Sequence, residues 1–182
     1  MKKRLAIIGA SYLQLPLVRK AKEMGLFTIC FAWSEGAVCK DEVNEFYPIS
    51  IIEKEKILEI CQERQIDGVC TIASDVAAPT VAFVAEKMGL VGNSYEVAMR
   101  ANNKYLMRQA FSTHGIPCPA YQKISSFTQF DSKKWLFPVI AKPTDRSGSL
   151  GITKVDRLDD LQVAIETALN CSFKHDGHLS KS

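Results

Sequence analysis

Phe137–Ile152 reads FPVIAKPTDRSGSLGI, an almost apolar run that ends in Lys142, then a proline, then a polar loop holding Gly148 and Gly151. The apolar run reads as a strand. "LGITKV" across the short loop reads as a second, so the pair forms a hairpin of an antiparallel sheet. A cation taken out of water costs several kcal/mol unless it is partnered. No carboxylate stands just before Lys142, and Asp145 is the only acid in the loop. Strand alternation puts Lys142 on the side of Ile140. Thr144, Ser147 and Ser149 offer hydroxyls beside it, and Gly148 and Gly151 offer flexible backbone. Hydroxyls, free amides and a lysine together make a concavity suited to phosphate. This is no Walker A loop, in which the lysine follows the glycines instead of preceding them.

Upstream of this hairpin, the "SYEVAMRANNKYLMRQAFSTHG" segment is two helical pieces broken at Asn102-Asn103, either of which can cap the second. Lys104 and Arg108 stand one helical turn apart and project from one face, with no acid at that spacing. They are either a solvated surface or part of the same anion site. "AYQKI" reads as a short strand, "SFTQFDSKK" as a weak helix, and "LDDLQVAIETAL" as a helix. The polar end "KHDGHLSKS" reads as a disordered tail, its two histidines included.

The first half of the chain has a different rhythm. "LAIIGA", "FTICFAW", "EFYPIS" and "DGVCTIA" are short strands, and the first, second and fourth are continuous apolar runs. Helices alternate with them: one stopped by Gly25, one entered through a Ser50/Glu53 capping-box pattern, and one with Pro79 in its first turn and Gly89 behind it. This alternation implies an α/β fold, a small doubly wound parallel sheet covered on both sides, followed by an α+β part. The expected division is 1–95, 96–170 and a tail at 171–182.

Ligands of open parallel sheets sit at the carboxyl ends of the strands. There the first turn, "GASYLQLP", has Gly9 but lacks the later glycines that a dinucleotide's pyrophosphate requires. Ser11 in this turn, and Ser74 and Asp75 after the fourth strand, are candidates to bind substrate. Asp75 serves equally well as a cap for the following helix.

Across 182 residues the chain is 47% hydrophobic and 24% charged, an ordinary globular composition. A net charge of +3 is too small to argue for nucleic acid, and no apolar run is long enough to span a bilayer. None of the six cysteines forms a Cys-x-x-Cys pair, and most sit among apolar residues. Reduced structural thiols and a cytoplasmic location are the expectation, with no metal site.

Together, Asn103–Pro119 (NKYLMRQAFSTHGIPCP) and Phe137–Ile152 resemble the opening of an ATP-grasp domain. Ile72–Ser94 (IASDVAAPTVAFVAEKMGLVGNS) resembles the segment ahead of it in the carbamoyl-phosphate synthase large-subunit-like branch. The likeness runs from the first strand to about Leu169. It implies a Rossmann-like pre-ATP-grasp domain followed by the first part of the ATP-grasp domain. It also implies that the lysines matching Lys104 and Lys142 bind ATP phosphates, the second also bordering the adenine. Ser147, Gly148, Ser149 and Gly151 would then lie in a flap that folds over the phosphates. The implied chemistry is activation of a carboxylate as an acyl-phosphate for attack by an amine or similar nucleophile, with Mg²⁺ accompanying ATP. The family's acidic Mg²⁺ ligands come from later sequence, so the resemblance implies a truncated chain that is inactive alone; its catalytic residues are not readable. The expected partners are ATP and a small carboxylate, with a complementary chain or a second copy as a further expectation. The rival readings are a non-catalytic nucleotide- or ligand-binding module, and one half of a split enzyme.

Overall fold

The computed structural model describes residues 2–181. Met1 and Ser182, which belong to the first and last of the expected segments, lie outside the described residues. The chain divides into two compact units, Met1–Ala98 and Met99–Ser182.

In the N-terminal unit, β1 (Arg4–Ile8), β2 (Phe27–Phe31), β3 (Glu45–Tyr47) and β4 (Gly68–Cys70) form a four-stranded sheet in the order β3-β2-β1-β4. All its pairings are parallel. The helices are α1 (Leu15–Glu23), α2 (Lys54–Glu63) and α3 (Ala78–Met88). The apolar runs of the strands are explained by burial on both faces. Ala6, Ile8, Ile29 and Phe31 pack with Ile57 and Cys61 of α2 and Val84 of α3, while Ile7 and Cys30 pack with Val18 of α1. Pro79 sits in the first turn of α3, and Gly89 ends that helix in the left-handed conformation. Only half of the expected capping box forms. Glu53 accepts from the Ser50 backbone N–H at 3.3 Å, and Glu53 itself is the residue from which α2 starts. All six cysteines are free, and burial pushes the Cys30 and Cys61 thiols up to about 12, so both stay protonated.

Helix α4 (Tyr95–Asn102) precedes α5 (Lys104–Thr113), which Asn103 caps by accepting from the N–H groups of Tyr105 and Leu106 at 3.1 and 3.0 Å. The C-terminal unit is built on β5 (Tyr121–Ile124), β6 (Val139–Pro143), β7 (Thr153–Val155) and β8 (Gly177–Lys181), with helix α6 (Leu161–Cys171). Its sheet runs β5-β8-β6-β7 and every pairing is antiparallel. One face, with Ile124, Val139, Ala141, Val155 and Leu179, packs on Leu161, Ala164 and Ile165 of α6.

Two expectations are corrected. The weak helix "SFTQFDSKK" is a pair of single 3₁₀ turns, Phe127–Gln129 and Ser132–Lys134. The end of the chain is not a tail: it forms β8, which lies between β5 and β6 inside the sheet. Ser172 makes the return possible, its hydroxyl accepting from the N–H groups of Lys174 and Asp176 at 3.2 and 3.0 Å. Leu179 alone supplies the core face of β8, while His178 and Ser180 point to the other side and are buried there. A strand with one apolar residue between two polar ones carries no apolar run to read.

Candidate functional site

In the N-terminal unit, the first strand-to-helix turn is closed by a side chain. Gln14 is buried, and its amide oxygen accepts from the backbone N–H of Ser11 at 3.1 Å and from the Ser11 hydroxyl at 2.7 Å. Its amide nitrogen donates to the carbonyl of Ile72 at 2.6 Å, tying the turn after β1 to the one after β4. Gly9 adopts φ +104°, and a Cβ there would stand 3.1 Å from the Gln14 amide. The space that a pyrophosphate would use in a dinucleotide fold is thus filled by Gln14. Of the three candidates here, Ser11 also accepts from the Leu13 N–H at 3.2 Å, and Ser74 accepts from the Ala77 N–H at 3.3 Å. Both hydroxyls serve their turns. Asp75 is exposed, and α3 has no side-chain cap, so its carboxylate does not cap the helix.

The C-terminal unit gathers the cations. Register sets Lys142 of β6 opposite His178 of β8, and His178 opposite Lys123 of β5, all on the face turned away from α6. Tyr105 of α5 meets Tyr121 of β5 edge-on at 5.8 Å, which lays α5 along this face. From α5, Lys104 and Arg108 act electrostatically on Lys142. Burial first, then these two cations, hold its ammonium below the usual lysine range. Both charges acting on Lys142 repel it, which disfavours its charged form.

The polar atoms around these charges are unsatisfied in a pattern. The Nε of Arg108, the hydroxyl of Thr144, the Nε of Arg146 and both ring nitrogens of His178 are buried without a hydrogen-bond partner. Buried polar groups are paired in the great majority of cases, so such a group calls for an explanation. Sequence reading missed Arg146 and His178. Arg146 stands in the loop with its guanidinium 4.1 Å from the centre of the Phe173 ring. Lys104 is anchored at both ends: its backbone N–H donates to Thr144 O at 2.9 Å, and its ammonium donates to the carbonyl of Arg146.

The loop itself is pinned at its base and open at its tip. Asp145 accepts from the N–H groups of Phe173 and Lys174 at 3.2 and 3.1 Å, so it ties the loop to the turn before β8. Ser147, Gly148 and Ser149 are exposed, and Gly148 and Ser149 both adopt positive φ. Gly151 has a packing reason to be glycine. With φ +70°, a Cβ there would stand 2.8 Å from Cys171 of α6 and 2.9 Å from Pro143. No group of three or more His, Cys, Asp or Glu among the described residues could hold a metal ion. A separate open cavity of about 570 Å³ is lined by Tyr105, Ser112, Cys118 and Lys123 among others, and includes neither Lys104 nor Lys142.

No family model matches the chain. The formate-dependent phosphoribosylglycinamide formyltransferase of Mannheimia succiniciproducens is 21% identical over 168 residues, covering 91% of this chain and 43% of the relative. The D-alanine–D-alanine ligase of Hydrogenovibrio crunogenus is 33% identical over 79 residues, 42% of this chain and 25% of the relative. Among solved structures, the L-amino acid ligase from Bacillus licheniformis superposes over 100% of this chain and 44% of its own, with a TM-score of 0.78 at 20% identity. The chain is similar to ATP-grasp enzymes in sequence and shares their fold. The N5-carboxyaminoimidazole synthetase of Staphylococcus aureus, solved with ADP, shares this ATP-grasp fold at a TM-score of 0.76 and 16% identity, over 100% of this chain and 48% of its own. The chain spans less than half the length of each of these proteins. They do not specify a branch within the superfamily.

Proposed function

We propose that the chain is the N-terminal portion of an ATP-dependent carboxylate ligase, and that its own part is to hold the nucleotide's phosphates on the Lys142 face of the C-terminal unit. The observation that carries this is the burial of Lys142 beside two cations of α5, set among buried polar atoms without partners. A polyphosphate supplies negative charge for Lys142 and acceptor oxygens for Arg108 Nε, Arg146 Nε and the Thr144 hydroxyl. Lys142 and Lys104 are the phosphate-binding cations, and Ser147, Gly148, Ser149 and Gly151 form the flap, hinged where Asp145 fixes its base. The ADP of the Staphylococcus aureus structure supports the nucleotide reading. Its domains are a Rossmann-like part over 1–95 and the start of the ATP-grasp domain from 96, in which β8 now takes its place.

In the whole protein, the carboxylate attacks the γ-phosphorus, ADP leaves, and an amine or similar nucleophile displaces phosphate from the acyl-phosphate. Asp75, exposed at the carboxyl end of β4, is the remaining candidate for a substrate contact in the N-terminal unit. Mg²⁺ accompanies ATP in such chemistry, but the described residues do not fit it: Asp145, the acid of the loop, is spent on backbone N–H groups. The metal's protein ligands are therefore assigned outside these residues.

Calorimetry with ATP tests the reading. A lysine–phosphate contact contributes about 1.5–3 kcal/mol, so Lys142→Ala should weaken binding roughly 10- to 100-fold. Equal affinity of wild type and variant would overturn it.

A further inference from the structure

The C-terminal unit buries one ionisable group that phosphate binding by lysines does not use. His178 is 0% exposed, and neither ring nitrogen has a hydrogen-bond partner. Its ring stacks on Tyr121 with centroids 6.1 Å apart and planes 18° apart. Charged groups surround it from every packed element. Lys142 stands opposite on β6, and Lys104 and Arg108 act on it from α5. Lys123 stands opposite on β5, with its ammonium 2.8 Å from Asp176. The remaining titratable neighbour is Tyr121, the ring on which it stacks.

Burial, reinforced by Lys142, Arg108 and Lys104, pushes the imidazole down to about 3, so it is neutral in the free protein. A neutral imidazole has one N–H to donate and one nitrogen that accepts. The lysines and the arginine around it can only donate, so none of them can receive its N–H. A polyphosphate seated among the same cations reverses both conditions, adding several negative charges and a set of acceptor oxygens.

We propose that His178 is a latent cation of the nucleotide site: neutral while the site is free, it takes one proton from solvent when a polyphosphate binds, and donates an N–H to the bound anion. The inference rests on the phosphate-binding reading above. Linkage then makes proton and polyphosphate binding reinforce each other. Affinity rises as pH falls through the bound-state value of His178, by at most about tenfold per pH unit, and this gain would end near the free-state value of about 3.

The chain has only three histidines, so their ring signals can be followed one by one by NMR, with His178→Gln identifying the buried one. The chain is titrated between about pH 5.5 and 8, free and with saturating inorganic triphosphate or MgATP. The expected result is a His178 ring that stays neutral throughout when free and titrates within the window when the ligand is bound. Calorimetry should show wild-type affinity gaining about threefold or more over His178→Gln between pH 7.5 and 5.5. A ring that remains neutral at saturating ligand, or identical pH profiles for the two proteins, overturns the proposal while leaving phosphate binding intact. Absence of any binding removes the phosphate reading, and this inference with it. If His178→Gln does not fold, through-bond assignment of the wild-type ring leaves the NMR arm decisive.

Discussion

Leu179→Ala puts the reality of β8 to a quantitative test. Leu179 is 0% exposed and belongs to the cluster of Ile124, Trp135, Val139, Ala141, Val155, Leu161, Ala164 and Ile165. Truncating a leucine so placed removes its transfer free energy and leaves a cavity between the sheet and α6, a loss of about 2–5 kcal/mol. A unit the size of Met99–Ser182 holds about 4–13 kcal/mol in all, so the substitution takes a large share. With slopes near 1–2 kcal/mol per molar urea, the midpoint should fall by about 1 M or more. Trp135 is 8% exposed in the same cluster, so its fluorescence reports this unit directly, while the other tryptophan, Trp33, is 64% exposed in the N-terminal unit. Leu179→Met, which nearly conserves volume, should cost less than about 1.5 kcal/mol and serves as the control. If the segment were a solvated tail, Leu179→Ala would change stability by no more than about 0.5 kcal/mol. An unmoved Trp135 transition would refute the strand.

The same unit should lose stability on acidification through His178. The imidazole is depressed to about 3 in the folded chain against about 6.5 unfolded, so the unfolded state binds more protons below that value. Stability is full above about pH 6.5 and falls by roughly 1.4 kcal/mol by pH 5.5, a slope that His178→Gln should remove from urea titrations. Gly151→Ala should destabilise by about 1–3 kcal/mol, because it meets both a φ of +70° and a Cβ 2.8 Å from Cys171; a neutral effect by thermal melting would count against that packing. Given ATP, Mg²⁺ and a pool of carboxylates and amines, the 182-residue chain should release no phosphate above background. Phosphate release abolished by Lys142→Ala would show that metal ligands outside the described residues are not needed.

The N-terminal sheet was legible because its chemistry is redundant. Ile7 and Ile8 are both buried, on opposite faces, so an apolar run announces the strand whichever way it is turned. Pro79, Gly89 and Asn103 act locally, and local rules found them. The Lys142 hairpin was legible for the same reason, as strand, loop and strand are adjacent in sequence. β8 was not, because its polar residues are buried against other polar residues, and only the tertiary partners Lys142 and Tyr121 make a strand of it. His178 was hidden along with it. Asp145 looked like a free acid in a loop, since the N–H groups it binds lie at Phe173 and Lys174, far along the chain. Gly151 was read as a source of flexibility, whereas its neighbours Cys171 and Pro143 demand the absence of a side chain.

The strand order β5-β8-β6-β7 has a kinetic consequence. Among the described residues β5 pairs with β8 alone, so Tyr121–Ile124 must wait, unpaired, until Gly177–Lys181 arrives from beyond α6. The β6–β7 hairpin can form early from neighbouring residues, but it gains its second neighbour only at the same moment. Closing so long a loop before any contact rewards it makes such pairing slow. On a chain emerging from its N-terminus, the parallel sheet of β1–β4 can be complete while the antiparallel one is still two fragments. Until β8 inserts, the apolar face of β6 and the edge of β5 are both open to pairing with other chains. The central position of the least apolar strand thus makes the C-terminal unit the late-folding and aggregation-exposed part of the molecule.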